Sequence, residues 1–171
     1  MSGSAVINNW ANETIYTLLQ KILSLFSPQV LATTQSKGLD GKKYERIYQD
    51  EFYRCCYLLA PTRCHPDIGS IYGSAGFLDF YFNGENQWGY ELLRNGDRLK
   101  GHFERFDVAE GKYRLIPLQD YAIVDFNESN SNHREIEIEK EKYYNVVFSE
   151  DFKDIQLHHN NLFIDIQCRN Q

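Results

Sequence analysis

The chain has 171 residues, of which 42% are hydrophobic and 25% charged, so it is long and apolar enough for one compact domain and is not a disordered chain. Its 18 Lys and Arg against 24 Asp and Glu give a net charge of −6, which excludes a protein that coats nucleic acid or an anionic membrane through bulk charge. The apolar stretch at 22–26 is far shorter than the roughly 20 residues of a membrane span, and no basic, cleavable leader precedes it, so we expect no membrane association and no signal peptide.

The first part of the chain shows helical periodicity. Apolar residues at three- and four-residue spacing predict a helix over 12–26, with Asn12 as N-cap and Pro28 ending it. A polar, glycine-containing stretch at 33–43 predicts a loop. A second helix is predicted over 44–59, ending before Pro61, and it carries Glu45 and Glu51.

The period changes after residue 70. An aromatic strand at 77–82, turn residues at 83–86 and a strand at 87–93 predict a β-hairpin. A helix from Asp97 to about Phe106 and a buried strand at 121–126 follow. Residues 127–134 predict a surface loop, and the later strand signals lie at 135–142, 143–148 and 162–166. This order predicts an α/β domain with a central sheet flanked by helices, over 1–171, divided into an N-terminal helix and loop at 1–43 and a core at 44–171.

The cysteines are too few for a disulfide scaffold in a chain of this length, and none forms a CxxC pair, so we expect a reducing compartment. Cys64 beside His65 would be half of a zinc site. Cys55 and Cys56, however, fall in an apolar helical pattern typical of buried free thiols, which favours the simpler interpretation.

Three carboxylates carry the first functional hypothesis. Asp79 stands within an aromatic strand, Glu91 on its hairpin partner and Glu51 on the second helix, and a buried charge requires a partner. Together they would form an oxygen cage of the kind that Mg²⁺ prefers, where the metal polarises a phosphate and helps to form hydroxide. The alternative is that Asp79 and Glu91 lie on the solvated faces of their strands.

The helix after the hairpin places Arg98, His102 and Arg105 on one face. This stripe would hold phosphates, and His102 would carry protons near neutral pH. A solvated surface paired with neighbouring acids is the alternative. We expect the aromatics of these elements to lie in the core, with base stacking as the less favoured use. They are Phe77, Phe80, Tyr81, Trp88, Phe103 and Phe106.

Five segments resemble the C-terminal effector domain of Crinkler family proteins, in the same order over roughly residues 44–152. They are QDEFYR at 49–54, HPDIG at 65–69, GSAGFLDFYFN at 73–83, QWGYELLRNGDRLKGHFERF at 87–106 and YAIVDF at 121–126. The resemblance implies a PD-(D/E)XK restriction-endonuclease-like fold, with a mixed four-stranded core flanked by helices, a divalent metal and a DNA substrate. The trafficking header and P-loop NTPase module of Crinklers are absent, so we expect an excised domain or a short family member.

By this resemblance Asp79 and Glu91 take the places of the two motif acids, and Glu51 that of the helix acid. All three would bind Mg²⁺ or Mn²⁺. Leu93 stands at the position of the motif lysine, and the cations that would replace it, or bind nucleic acid, lie in or near the next helix. They are Arg94, Arg98, Lys100, His102 and Arg105.

We therefore expect an effector domain that binds DNA, with RNA also open as a ligand, and hydrolyses it in a host nucleus after secretion of a full-length effector. Leu93 favours the alternative of a catalytically degenerate module that binds nucleic acid or host nuclear proteins and perturbs transcription without cleavage.

Overall fold

A computed structural model describes residues 6–33, 44–128 and 140–168. Within them, four α-helices are formed: α1 (Ile15–Ser24), α2 (Pro28–Thr33), α3 (Glu45–Leu59) and α4 (Leu99–Glu104). No helix in these residues is long and apolar enough to cross a membrane.

Seven strands form one mixed sheet in which spatial order follows chain order. Strands β3, β4 and β5 are parallel to one another, while β1, β2 and β3 form an antiparallel meander at one side and β5, β6 and β7 form another. The strands are β1 (Cys64–Ile68), β2 (Leu78–Phe82), β3 (Trp88–Arg94), β4 (Asp120–Glu128), β5 (Tyr143–Phe148), β6 (Asp154–His159) and β7 (Leu162–Gln167). The molecule is thus a mixed α/β fold, as the sequence predicts.

The larger core lies between the sheet and helices α1 and α3. Phe52 of α3 packs on Phe80 at 4.9 Å between ring centroids, and Tyr48 stacks on Phe126 at the same distance. Aromatic side chains dominate this contact because each one removes a large apolar area from water. The packing of these two rings determines which side of α3 faces the sheet.

The opposite face of the sheet is covered by α4 and the segment that follows it. Side chains alternate along β3, so that Tyr90 and Leu92 enter the larger core while Glu91 and Leu93 point toward α4. Leu93 is fully buried there, in a small cluster with Leu99 and Ile123. Both faces of β3 are therefore covered.

Several element boundaries differ from the prediction. Helix α1 begins after Thr14 rather than Asn12, because the Thr14 and Thr17 hydroxyls each accept a hydrogen bond from the other residue's backbone N–H. Pro28 does follow the end of α1, but it also begins α2, where its fixed φ suits a first helical turn. Strands β1 and β6 were not predicted. Of the predicted strand at 135–142, residues 135–139 lie outside the described residues. The remaining three, Lys140–Lys142, form a 3₁₀ turn and not a strand.

Candidate functional site

Glu91 lies at the centre of a buried polar cluster between β3 and α4. Its side chain is 1% exposed, yet both oxygens have partners. Oε1 accepts hydrogen bonds from His102 Nδ1 at 2.8 Å and from the Arg105 guanidinium, and Oε2 accepts one from the Tyr113 hydroxyl at 2.8 Å. A buried carboxylate is tolerated only when such partners replace water. The His102 ring is thereby held with Nδ1 toward Glu91, which leaves Nε2 as its other nitrogen.

A strained turn between β3 and α4 positions His102 and Arg105. Asn95, Gly96 and Arg98 all have positive φ, and the Gly96 N–H donates to Asp125 Oδ1 at 2.9 Å. Asp125 also accepts a bond from the Tyr143 hydroxyl at 2.7 Å. Burial raises the pKa of Asp125 above its usual range, although these bonds oppose the shift. The turn is thus tied to β4 and β5, and α4 begins at a fixed place.

Asp79 lies at the start of β2, where it joins the sheet to α3. Its Oδ2 accepts a bond from the Leu92 N–H at 2.7 Å, and its Oδ1 accepts a longer one, 3.3 Å, from Gln49 Nε2. Gln49 Nε2 also donates to Glu45 Oε1 at 3.2 Å, so one amide bridges two carboxylates. In the described parts of the chain, neither carboxylate forms an ion pair with a cation.

The electrostatics of these two acids are unfavourable in the absence of a cation. Burial raises the pKa of Asp79 well above its usual range, and repulsion from Glu91 adds to the shift. Burial likewise raises the pKa of Glu45, with Glu91 contributing and His102 opposing. Glu45, Asp79, Glu91 and His102 therefore lie close enough to influence one another's charge.

These raised pKa values predict a pH dependence of stability. A carboxyl group with a raised pKa in the folded state contributes stability below its unfolded pKa, about 4, and that contribution is lost as pH rises through the folded pKa. We expect Glu45→Gln to remove part of this loss, so that its free energy of unfolding exceeds that of the parent more at neutral pH than at pH 4. Urea unfolding at a series of pH values measures the difference. The exposed Glu85→Gln variant is the control, and equal pH profiles for parent and Glu45→Gln would contradict the prediction.

Glu51 is not brought to Asp79 and Glu91. It is 3% exposed and accepts hydrogen bonds from the Ser27 N–H at 2.6 Å and from the Arg54 guanidinium at 2.7 and 2.9 Å. It therefore ties α3 to the junction of α1 and α2. Gln49, one turn after Glu45, faces Asp79, whereas Glu51 lies about 200° further around the helix. The helix acid beside Asp79 is Glu45, and the expected meeting of Glu51, Asp79 and Glu91 does not occur.

This placement predicts that Glu51 serves stability. Replacing it with Gln should lower the free energy of unfolding by about 2 kcal/mol, since the half-buried Arg54 loses its carboxylate counter-charge and keeps the weaker bond to the Leu25 carbonyl oxygen. Any effect of Mg²⁺ on melting temperature should remain. A Glu51→Gln protein of normal stability that no longer responds to Mg²⁺ would contradict this role.

The predicted cationic stripe is divided by the structure. His102 and Arg105 point inward to Glu91, whereas Arg98 precedes α4 as its N-cap residue. Arg98 pairs with Asp97 at 3.4 Å and Lys100 with Glu104 at 3.8 Å, all four being exposed. Arg94, at the end of β3, is half-buried. The exposed cations near the site are thus partly neutralised by their neighbours.

The carboxylate oxygens of Glu45 and Asp79 are ligands of the kind that a hard cation such as Mg²⁺ prefers. Among the described residues, no three His, Cys, Asp or Glu side chains lie close enough together to hold a metal by themselves, at Cys64 and His65 or elsewhere. Mg²⁺, however, is commonly held by one or two carboxylates while waters and substrate phosphate complete its shell. The Glu45 and Asp79 carboxylates share the Gln49 amide and form no ion pair in the part of the chain that the structure describes, so they meet that requirement.

No protein-family model matches this chain, and no curated protein or solved structure is similar to it.

Some residues of the candidate site are not identified by the sequence patterns. Tyr113 lies in an irregular segment whose sequence has no period to mark it. Glu45 and Gln49 resemble ordinary polar residues of a helix surface. Asp125, by contrast, interrupts the apolar run YAIVDF in the same way that Asp79 interrupts its aromatic strand, and the same reasoning finds both.

Proposed function

We propose that this chain is a Crinkler-type effector domain that binds DNA and hydrolyses phosphodiester bonds with a divalent cation, acting in a host nucleus. One observation carries the catalytic part: the Glu45 and Asp79 carboxylates share the Gln49 amide, form no ion pair within the described residues and lie beside the Glu91 cluster. Both carboxylates are half-buried, and like charges that are partly withdrawn from water gain stability from a bound cation.

The fold supports the proposal at the level of architecture. Strands β1 to β4 form a mixed four-stranded unit with α3 on one face and α4 on the other. A mixed four-stranded core flanked by helices is what the resemblance to the restriction-endonuclease-like superfamily implies. Asp79 and Glu91, the positions matched to the motif acids, lie on adjacent strands of this unit.

The proposed roles follow from the contacts. Asp79 and Glu45 would hold Mg²⁺ or Mn²⁺, which when bound would polarise a phosphate and lower the pKa of a water molecule. Glu91 fixes the ring of His102 through Nδ1, so Nε2 is the nitrogen that would accept a proton or orient water. His102 thus takes the task of the lysine that Leu93 replaces, while Arg105 neutralises Glu91.

A second candidate is the catalytically degenerate module that binds nucleic acid or a host nuclear protein. Two observations favour it. Leu93 is fully buried among Leu99 and Ile123, and Glu91 already has Arg105, His102 and Tyr113 on its two oxygens. In this case the polar cluster would serve to hold α4 against the sheet.

Plasmid nicking with Mg²⁺, Mn²⁺ or EDTA, together with binding of labelled DNA and RNA, distinguishes the two. Nicking that requires the metal and is lost in His102→Ala, with binding retained, supports the hydrolase. Binding without nicking in either metal establishes the degenerate module. A chain that neither binds nor nicks nucleic acid contradicts the proposed function.

A further inference from the structure

Phe77 is the exception among the aromatics that were expected in the core. Phe80, Tyr81 and Trp88 are buried, and Phe103 and Phe106 are half-buried against the smaller clusters. Phe77, by contrast, is 61% exposed and belongs to none of the hydrophobic clusters of the described residues. It lies immediately before β2, two residues from Asp79. The expectation of a core position for Phe77 is therefore wrong, because the strand that would bury it begins only at Leu78.

The backbone that carries Phe77 is anchored to the candidate site. The Tyr113 hydroxyl lies 2.8 Å from the Phe77 carbonyl oxygen and 2.8 Å from Glu91 Oε2, so one hydroxyl links the two residues. Just before it, Ser74 Oγ lies 2.9 Å from the Gly76 carbonyl oxygen and 2.6 Å from that of Lys112. The ring is thus presented to solvent from a fixed position, next to the acids.

The charge of this surface indicates that nucleic-acid affinity needs a contact besides those to phosphate. The chain carries a net charge of −6, and Arg98 and Lys100 are paired with their acidic neighbours. The exposed Lys112, which lies beside Gly76, and Arg114 are left to contact phosphate on this side of the molecule. Two such cations would supply only part of the affinity, since that term grows with the number of phosphates that cations neutralise. Stacking of a base on an aromatic ring is tolerant of sequence and depends only weakly on charge.

We propose that Phe77 stacks on an unpaired base beside the phosphate that the Asp79 site receives. The substrate class is accordingly single-stranded nucleic acid, or a duplex with a locally unpaired base, since the faces of paired bases are covered by their neighbours in the stack. This inference rests on the proposed function.

The test compares Phe77→Ala and Phe77→Trp with Phe163→Ala in Mg²⁺, on strands with a non-hydrolysable backbone, so that the site can hold its cation while cleavage is prevented. Phe163, on β7, is 59% exposed, nearly the same as Phe77, but it lies on the edge strand farthest from β1 and β2. Fluorescence anisotropy measures the Kd for a labelled single strand, for the same strand with abasic sites, and for the blunt duplex. Phe77→Ala should weaken single-strand binding by about 5-fold to 150-fold. Phe163→Ala should bind like the parent.

Phe77→Trp adds a reporter, because both native tryptophans, Trp10 and Trp88, are buried. It should keep single-strand affinity within about threefold of the parent, and its exposed indole should lose emission when a base stacks on it. The abasic strand should cause no such loss. The melting temperature of Phe77→Ala should stay within about 2 °C of the parent, as for other surface changes.

The outcomes separate the two proposals. If the parent binds the single strand and Phe77→Ala binds it equally well, the stacking role is overturned and a contact with a protein becomes the role of the exposed ring. The proposed function is unaffected by that result. Equal losses on single strand and duplex overturn the unpaired-base substrate. Absence of any binding by the parent overturns the proposed function and this inference together.

Discussion

Replacing Asp79 with Asn is expected to lower metal-dependent nicking by more than about 1,000-fold, equivalent to about 4 kcal/mol of transition-state stabilisation. The same change should raise the melting temperature in EDTA. Both effects have one cause: the ionised Asp79 carboxylate is half-buried near Glu91 and costs stability until a cation binds. The amide keeps an oxygen that accepts the Leu92 N–H, so the local hydrogen bond at β3 is retained.

Thermal unfolding with and without Mg²⁺ measures the linked effect. The parent should gain stability with increasing Mg²⁺, because a ligand that binds only the folded state stabilises it, whereas Asp79→Asn should gain much less. Asp165→Asn, at an exposed aspartate of β7, is the matched control and should behave like the parent. An Asp79→Asn protein that nicks DNA normally, or that melts well below the parent in EDTA, would contradict the assignment.

Glu91→Gln is expected to give the largest loss of stability, roughly 3 kcal/mol, which corresponds to a fall of about 10 °C in melting temperature. The buried carboxylate holds His102, Arg105 and Tyr113 at once. A neutral amide presents one acceptor oxygen in place of two and turns N–H donors toward side chains that also donate. Arg105 is left partly buried without its counter-charge.

Urea unfolding of Glu91→Gln, Arg105→Gln and the double variant measures the coupling directly. If the ion pair is responsible, the double variant should be much less destabilised than the sum of the single variants. Glu104→Gln removes an exposed carboxylate paired with Lys100 and should cost less than about 0.5 kcal/mol. Additive losses, or a Glu91→Gln cost near that of Glu104→Gln, would show that the cluster contributes little to stability.

The regular elements follow from local patterns along the chain. The apolar spacing predicts α1 and α3, and the turn at 83–86 between aromatic runs predicts the β2–β3 hairpin, as observed. Strand β1, with the sequence CHPDI, lacks alternation and contains Pro66. It is extended because it pairs with β2 at the edge of the sheet, where a proline is tolerated.

In the candidate site, too, some relations follow from local sequence and others depend on distant contacts. Short-range spacing along the chain is enough to predict that Asp79 and Glu91 lie on paired strands and that His102 and Arg105 follow in and just after the next helix. That Glu45, not Glu51, accompanies Asp79 becomes apparent only in the folded chain. Both acids belong to one helix, and which of them faces the sheet depends on how the Tyr48 and Phe52 rings pack against strands far away in sequence.

The same reason applies to Phe77 and Tyr113. An aromatic residue is buried or exposed according to where its strand begins and what covers it, and Phe77 lies one residue before β2. Tyr113 hydrogen-bonds to Glu91 although the two residues are 22 positions apart in the sequence. Local propensity carries no information about such contacts, because they arise only when distant segments close on one another and the hydrogen bonds of buried polar groups must be satisfied within the protein.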